Sequence, residues 1–256
     1  MTLGKLYGVG VGPGAPDLMT LRAVATLKHV QVIIIPRSSD YGTSVAWAIA
    51  KSNVGDVHGQ ERIFLTFPMS MDPDVVGAAW EKAFVEIDQR LQRGLSIAFI
   101  AEGDPMVFSS FVYLQRAAAV RWPEVELEII PAVTSITAVA AVSGVPLADG
   151  QERIAIIPGL YGVADLENTL DNFDTTVLMK IGPKMNEIVE TLERKGLVDK
   201  AVYVVKATMP EQKVVNDVRD IRKQRGDCFS MMLIAKRDRS GVLVGDCPFT
   251  DREMLK

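Results

Sequence analysis

The 256-residue sequence contains only two cysteines and two histidines, and neither pair supports metal or thiol chemistry. Cys228 and Cys247 match no metal-ligand spacing and no disulfide framework, and we predict that Cys228 is a small core residue. His29 falls at the end of a predicted helix, a position typical of surface residues. The scarcity of these residues argues against a zinc site and against hydrolysis by a Cys/His nucleophile.

The sequence also shows no basic excess and no long apolar run, and we expect no signal peptide. Its formal net charge is −4, with Lys and Arg nowhere concentrated. This argues against nucleic acid as a partner, because proteins that bind it neutralise phosphates with basic residues. Met1–Lys5 has neither the basic start nor the apolar core of a signal peptide, and no apolar run could span a bilayer. We therefore expect a cytoplasmic protein with no membrane partner.

What the sequence does have is short apolar runs, in a chain longer than one compact core needs, so we expect two domains. Runs such as Leu6–Val11, Val30–Ile35 and Leu95–Ala101 alternate with helical patterns. This alternation is typical of parallel sheets built from βαβ units, and it predicts an α/β protein.

The clearest predicted helix follows Asp72–Pro73, a capping residue with proline in the first turn. Its apolar residues recur at spacings of four, three and four, which predicts one buried face. They are Trp80, Phe84, Ile87 and Leu91. We interpret Trp80 and Phe84 as core residues rather than as a platform for stacking a ligand ring.

A boundary between two α/β domains, 1–146 and 147–256, is predicted at Gly144–Gly150, which is rich in Gly, Pro and Asp. The first domain should contain a mainly parallel sheet. The second should contain a mixed sheet, because Thr208–Val215 looks extended among its other strands. Those strands are predicted near Ile154–Ile157, Thr176–Lys180, Val202–Val205 and Phe229–Ile234.

A glycine-rich loop, Gly8–Gly14, follows the first predicted strand. Pro13 and Pro16 remove two backbone donors, and the next helix is predicted to begin only after Asp17 as its N-cap. These features argue against a dinucleotide-binding fingerprint. The glycines indicate either a close approach of backbone to a ligand or a tight turn between strand and helix.

Two further loops follow predicted strands. In open α/β sheets, ligands bind at the carboxyl ends of the strands, where such loops lie. In Ala101–Pro105, Glu102 and Asp104 are candidates for acid/base work, although Asp104 is also a natural cap for the next helix. In the other loop, Thr134 or Ser135 is a natural N-cap, or else their hydroxyls hold a carboxylate at the helix N-terminus.

Taken together, these loops resemble the motifs of the tetrapyrrole methyltransferases, the class III enzymes that use S-adenosylmethionine. Gly8–Leu21 resembles the opening motif of the family, Glu102–Pro105 the second and Pro131–Leu147 the third. Thr176–Lys180 and Thr208–Gln212 are similar to the two motifs of its C-terminal domain. The motifs come in the family's order and span nearly the whole chain.

A narrower resemblance is to the branch that methylates carbon 20 of precorrin-2 in cobalamin (vitamin B12) biosynthesis. It is carried by Phe67–Ser70 with Trp80 downstream, and by Phe108–Phe111 after the acidic loop. The family usually has glycine where Ala132 stands here.

The resemblance implies a homodimer of two-domain α/β subunits, with S-adenosylmethionine in the cleft between the domains as the methyl donor. The substrate would be precorrin-2 or its cobalt form, and Asp104 is our candidate for polar catalytic assistance. Arg37 and Lys180 are candidates for binding substrate carboxylates, although Arg37 is equally read as a solvated loop residue. The cofactor contacts that the resemblance implies are Pro13, Gly103, Asp104, Val107, Thr134, Ser135, Met179 and Ala207.

Four alternatives remain open at this stage. A sibling enzyme could methylate another ring carbon, or a non-catalytic module could bind the cofactor without turnover. Methylation of RNA or protein is disfavoured by the acidic charge, and NAD-dependent oxidation by Pro13. The segment Arg37–Asp72, rich in polar residues, is our hypothesis for a mobile region that faces the substrate.

Overall fold

A computed structural model describes residues 3–70, 72–159, 163–222 and 226–237. The chain forms two compact units, Met1–Ala138 with Lys206–Gln212 and Val139–Val205 with Lys213–Lys256. Each contains one five-stranded sheet with helices, which confirms the predicted pair of α/β domains.

The elements of the first unit are β1 (Leu6–Gly10), α1 (Leu21–His29), β2 (Val32–Arg37), α2 (Val45–Val54), β3 (Glu61–Thr66), α3 (Pro73–Leu91), β4 (Ile97–Ala101), α4 (Phe111–Arg121), β5 (Leu127–Ile130) and the start of α5 (Ser135–Ser143). The five strands form a parallel sheet with the order β3-β2-β4-β1-β5. All neighbouring strands run in the same direction, as predicted for this part of the chain.

Both faces of this sheet are buried, which explains the unbroken apolar runs in its strands. Along β2, Ile33 and Ile35 belong to a core with α1 and α2, whereas Val32 and Ile34 belong to a core with α3 and α4. The alternation follows from the two-residue period of a strand. Packing on both faces holds each strand in place. The loops that follow the strands at the carboxyl edge are therefore held in place as well.

The predicted buried face of α3 is confirmed. Trp80, Phe84, Ile87 and Leu91 are all buried, and Asp72 caps the helix by accepting a hydrogen bond from the Asp74 N–H. The ring of Trp80 lies 4.5 Å from that of Phe67 and 5.5 Å from that of Phe84, centre to centre. These rings therefore fill the core between α3 and the sheet.

The elements of the second unit are β6 (Ile154–Pro158), α6 (Val163–Asn172), β7 (Thr175–Met179), α7 (Met185–Arg194), β8 (Ala201–Val205), β9 (Lys213–Val215) and β10 (Ser230–Ala235). The five strands form a mixed sheet, as predicted, with the order β6-β7-β10-β8-β9. In this sheet β6 and β7 pair in parallel, and the other neighbours are antiparallel. One face packs on α6 and α7 through apolar residues such as Leu170, Val189 and Met232.

Two local predictions are wrong. Thr20, not Asp17, caps α1, because Pro16–Leu18 forms a separate 3-10 turn and the Thr20 side chain accepts a hydrogen bond from the Ala23 N–H. Cys228 is exposed rather than buried, because it lies in the turn before β10. Cys247 lies outside the described residues.

Two elements were not predicted, β3 and α6. The strand β3 begins with Glu61 and Arg62 and lies at the sheet edge, where partial exposure blurs the apolar pattern. With α2, it gives regular structure to much of Arg37–Asp72. The strand β2 continues through Pro36, although proline has no backbone N–H to donate. Beyond Ile34, β2 pairs only with β3, so fewer backbone donors are needed there.

Within the described ranges, three or more His, Cys, Asp or Glu side chains are nowhere grouped as metal ligands would be. The helices in the same ranges are all too short or too polar to cross a bilayer.

We predict that Ile87→Ala lowers the free energy of unfolding by about 2–5 kcal/mol, because it leaves a cavity beneath α3. Ile87 is fully buried, whereas Val85 on the same helix is 53% exposed, so Val85→Ala is a matched control. Urea unfolding followed by tryptophan fluorescence reports on this unit, which contains all three tryptophans, Trp47, Trp80 and Trp122. Equal effects of the two substitutions would contradict the assigned core.

Candidate functional site

The loops that follow β1 and β4 are joined by backbone hydrogen bonds at the carboxyl edge of the first sheet. The Gly12 N–H donates to the Gly103 carbonyl oxygen at 3.3 Å, and the Gly103 N–H donates to the Gly12 oxygen at 2.8 Å. A further bond runs from the Val11 N–H to the Ala101 oxygen at 3.0 Å. An isolated antiparallel bridge thus joins the two segments just past the ends of the parallel strands, and the first two motif loops lie side by side.

Asp104 joins the second loop to the third. Its buried carboxylate accepts a hydrogen bond from the Met106 N–H at Oδ1 and one from the Ala132 N–H at Oδ2, both at 2.8 Å. The Asp104 carbonyl oxygen also accepts from the Val107 N–H at 3.2 Å. Each carboxylate oxygen therefore holds a backbone donor, which gives Asp104 a positioning role between the loops.

The segment Lys206–Gln212 completes this edge of the unit. The Ala15 N–H donates to the Thr208 hydroxyl oxygen at 3.1 Å, which joins the segment to the first loop. Lys206 and Thr208 have φ angles of 50° and 65°, a left-handed conformation that is rare for residues with a side chain and strained for a β-branched one. Such strain is typical of functional sites.

The glycines of the first loop are required by neighbouring loops. A β-carbon on Gly10 would lie 2.6 Å from the Ala132 Cβ and 2.7 Å from the Gly103 oxygen. One on Gly14 would lie 2.9 Å from the Thr208 hydroxyl oxygen and 3.0 Å from the Ala207 oxygen. The sequence indicated either an approach of backbone to a ligand or a tight turn. At Gly10 and Gly14 the structure shows a third arrangement, in which the backbone of this loop packs closely against neighbouring loops.

The space beside Gly103 differs from that at Gly10 and Gly14. A β-carbon there would have a single neighbour within 4 Å, the Ser135 backbone nitrogen at 3.9 Å. Next to it, Thr134 caps α5, because its hydroxyl oxygen accepts a hydrogen bond from the Thr137 N–H at 3.2 Å. The sequence left open whether Thr134 caps this helix, and the structure shows that it does.

Seven of the eight predicted cofactor contacts lie in this one unit, in loops that bond to or pack on one another. They are Pro13, Gly103, Asp104, Val107, Thr134, Ser135 and Ala207. The eighth, Met179, ends β7 in the second unit, where its carbonyl oxygen accepts a hydrogen bond from the Gly159 N–H at 2.6 Å. Lys180 follows it with a φ of 56° and an exposed side chain.

Arg37 is the last residue of β2 and lies at the same edge as the loops of the first unit. Its Nε donates to the Thr66 hydroxyl oxygen at 3.1 Å, and its Nη2 lies 3.3 Å from Asp40 Oδ1. The guanidinium also lies over the ring of Phe64, 5.8 Å from its centre. Arg37 is therefore held by its neighbours at the carboxyl edge of the sheet. It is not the solvated loop arginine that the sequence left as an alternative.

Glu102 is the other acidic residue of the second loop, and its environment differs from that of Asp104. Its side chain is exposed, and partial desolvation by neighbouring protein atoms raises the pKa of its carboxyl group. A hydrogen bond from the Ala46 N–H, in the first turn of α2, opposes this shift. Sequence reasoning named Glu102 as an acid/base candidate but preferred Asp104, since desolvation is invisible in a motif.

The match to known families agrees with this arrangement of loops. Residues 5–221 match the family of tetrapyrrole (corrin/porphyrin) methylases, and the chain belongs to that family. It is 32% identical over 236 residues to a cobalt-precorrin-2 C(20)-methyltransferase of Salmonella typhimurium, which covers 91% of this chain and 97% of the relative. It is 27% identical to a precorrin-2 C(20)-methyltransferase of a Sinorhizobium species, covering 91% of this chain and 95% of the relative.

Solved structures share the fold. A cobalt-precorrin-4 methyltransferase superposes with a TM-score of 0.67 at 22% identity, covering 90% of this chain and 94% of that one. A uroporphyrin-III C-methyltransferase of Thermus thermophilus, solved with S-adenosylhomocysteine, gives a TM-score of 0.61 at 22% identity, covering 91% and 98%. The two-domain α/β fold is therefore that of the tetrapyrrole methylases.

We predict that Gly10→Ala destabilises the first unit by about 1–3 kcal/mol, the usual cost of overpacking. The added methyl group would displace Ala132 and the Gly103 carbonyl, so binding of S-adenosylhomocysteine should weaken as well. Gly77→Ala is the matched control, because nothing lies within 4 Å of its added β-carbon and alanine favours a helix. Thermal unfolding and titration calorimetry measure the two effects. A Gly10→Ala variant as stable as the control would contradict the observed packing of the loops.

Proposed function

We propose that this protein transfers a methyl group from S-adenosylmethionine to carbon 20 of precorrin-2 or its cobalt form, as a step of cobalamin biosynthesis. The observation that carries the proposal is the joining of three motif loops by the Gly12–Gly103 bridge and the Asp104 carboxylate. Support for the particular ring carbon comes from the relatives, whose names specify C(20) and differ on cobalt.

The residues of the joined loops suit S-adenosylmethionine. The space beside Gly103 is open, the surrounding contacts are mostly backbone groups, and the N-terminus of α5 suits a ligand carboxylate. When bound, S-adenosylmethionine supplies a methyl group activated by a positively charged sulfur. We propose Pro13, Gly103, Asp104, Val107, Thr134, Ser135, Met179 and Ala207 as the residues that hold it.

The contribution of the protein is to hold two reactants in line. Alignment of bound reactants lowers a barrier by roughly 7–11 kcal/mol. The bridging ring carbon is already nucleophilic, because the ring nitrogens push electrons into it, so no Cys or His nucleophile is required. This fits the scarcity of those residues in the sequence.

The carboxylates of a tetrapyrrole require cationic partners, and Arg37 and Lys180 are our proposed pair. Within the described part of the chain, the Arg37 Nη1 makes no hydrogen bond, while Nε and Nη2 anchor the side chain. A guanidinium fixed in this way can bind a substrate carboxylate with little loss of side-chain entropy.

We also propose that the protein is cytoplasmic and forms a homodimer. Sedimentation in the analytical ultracentrifuge would test the oligomeric state.

We predict that Asp104→Asn acts on cofactor affinity and stability. An amide has one acceptor oxygen, so one of the two bound N–H groups, of Met106 or Ala132, loses its partner at a cost of about 1–3 kcal/mol. Binding of S-adenosylhomocysteine should weaken, while the pH profile of kcat keeps its shape. Asp17→Asn, at an exposed position, is the control. A fall in kcat with cofactor affinity intact would instead support the catalytic role that the sequence suggested for Asp104.

The experiment that tests the proposed function is anaerobic incubation of the protein with isotopically labelled S-adenosylmethionine and precorrin-2, with and without cobalt. Mass spectrometry and carbon NMR of the product should show one added methyl group at carbon 20. A methyl group at another carbon would identify a sibling enzyme. Cofactor binding with no methylation of either form would overturn the proposed substrate and leave a binding module.

A further inference from the structure

Glu102 occupies a central place at the carboxyl edge of the first sheet. It follows β4, the middle strand of the order β3-β2-β4-β1-β5. Its neighbours Ala101, Gly103 and Asp104 are buried, whereas Glu102 is exposed. The backbone on both sides is fixed by the bonds to the first loop. A rigid support therefore presents this carboxylate beside the proposed cofactor residues.

The contacts of Glu102 leave it chemically available. Its carboxylate accepts a hydrogen bond from the Ala46 N–H, and it forms no ion pair with any Lys, Arg or His in the described ranges. At the neighbouring strand end, Arg37 and Asp40 pair with each other. On its own loop, Asp104 is bonded to backbone donors.

The main cause of the raised pKa of Glu102 is desolvation, and the hydrogen bond from the Ala46 N–H opposes that shift. The charged residues on the elements next to it are Arg37 and Asp40 from β2 and its loop, Lys51 from α2 and Asp104 from its own loop. A carboxylate with a raised pKa is a stronger base than an ordinary one. The fold places Glu102 at the carboxyl edge of the sheet, beside the proposed cofactor residues, and desolvation makes its carboxylate more basic.

We propose that Glu102 is a catalytic residue that accepts the proton released from the methylated ring carbon; this rests on the proposed function. The ring carbon forms a bond to the methyl group as the bond between methyl and sulfur breaks, with that electron pair going to sulfur. The carbon then carries both methyl and hydrogen. Its bond to hydrogen breaks, the electron pair returns to the conjugated ring, and the proton moves to the Glu102 carboxylate and then to water.

Glu102→Gln separates this chemistry from a structural role, because the amide oxygen can still accept the hydrogen bond from the Ala46 N–H. We expect methylation of precorrin-2 to slow about 10²-fold or more, the usual contribution of a general base. The affinity for S-adenosylhomocysteine and the thermal stability should be unchanged. The control is Glu124→Gln, an exposed position before β5 at the opposite edge of the same sheet, which should behave as wild type.

Two further readouts report on proton transfer itself. The ionised form of Glu102 accepts the proton, so the wild-type rate should fall as the pH drops through the raised pKa, and Glu102→Gln should lose that limb. With precorrin-2 deuterated at carbon 20, the variant should show a larger kinetic isotope effect than wild type, because removal of the proton becomes rate-limiting.

Two results would overturn the assignment of Glu102. One is a variant with the wild-type rate and pH profile; the other is a loss of rate matched by a loss of cofactor affinity, which would make Glu102 a structural cap of α2. A wild-type protein that methylates no form of precorrin-2 would instead overturn the proposed function.

Discussion

The paired hydrogen bonds between Gly12 and Gly103 connect two loops that are about ninety residues apart in sequence. They can form only because β1 and β4 are adjacent and parallel, so that their carboxyl ends emerge together. The third loop is then attached through the Asp104 carboxylate, and Lys206–Gln212 through the Thr208 hydroxyl. The geometry of the candidate site therefore depends on one short stretch of backbone pairing.

This dependence explains why small and acidic residues occupy the motifs. A side chain on Gly10 would push the loops apart, and an amide in place of the Asp104 carboxylate would lack the second acceptor oxygen that its two backbone donors use. The strain at Lys206 and Thr208 is maintained because the surrounding loops fix the backbone there. Glu102 makes none of these loop-to-loop bonds; its carboxylate accepts a hydrogen bond from the Ala46 N–H. In this loop, one acidic side chain joins the loops, and we propose the other as the proton acceptor.

The sequence predicted those features that a local pattern records. The period of Trp80, Phe84 and Ile87 indicated a buried helix face, and the alternation of apolar runs with helical patterns indicated the parallel sheet of the first unit. Features set by tertiary contacts were not predictable. The edge strand β3 has too weak an apolar pattern, and the roles of Asp104 and Glu102 depend on which backbone N–H groups surround each carboxylate.

Hydrogen exchange of backbone amides, measured by mass spectrometry with and without S-adenosylhomocysteine, tests whether the joined loops of the first unit hold the cofactor. We predict slower exchange on ligand addition in residues 10–16, 102–107, 132–137 and 206–209, with no change at 122–126 on the opposite edge of the sheet. Tight binding that leaves exchange in all four loop segments unchanged would contradict the claim.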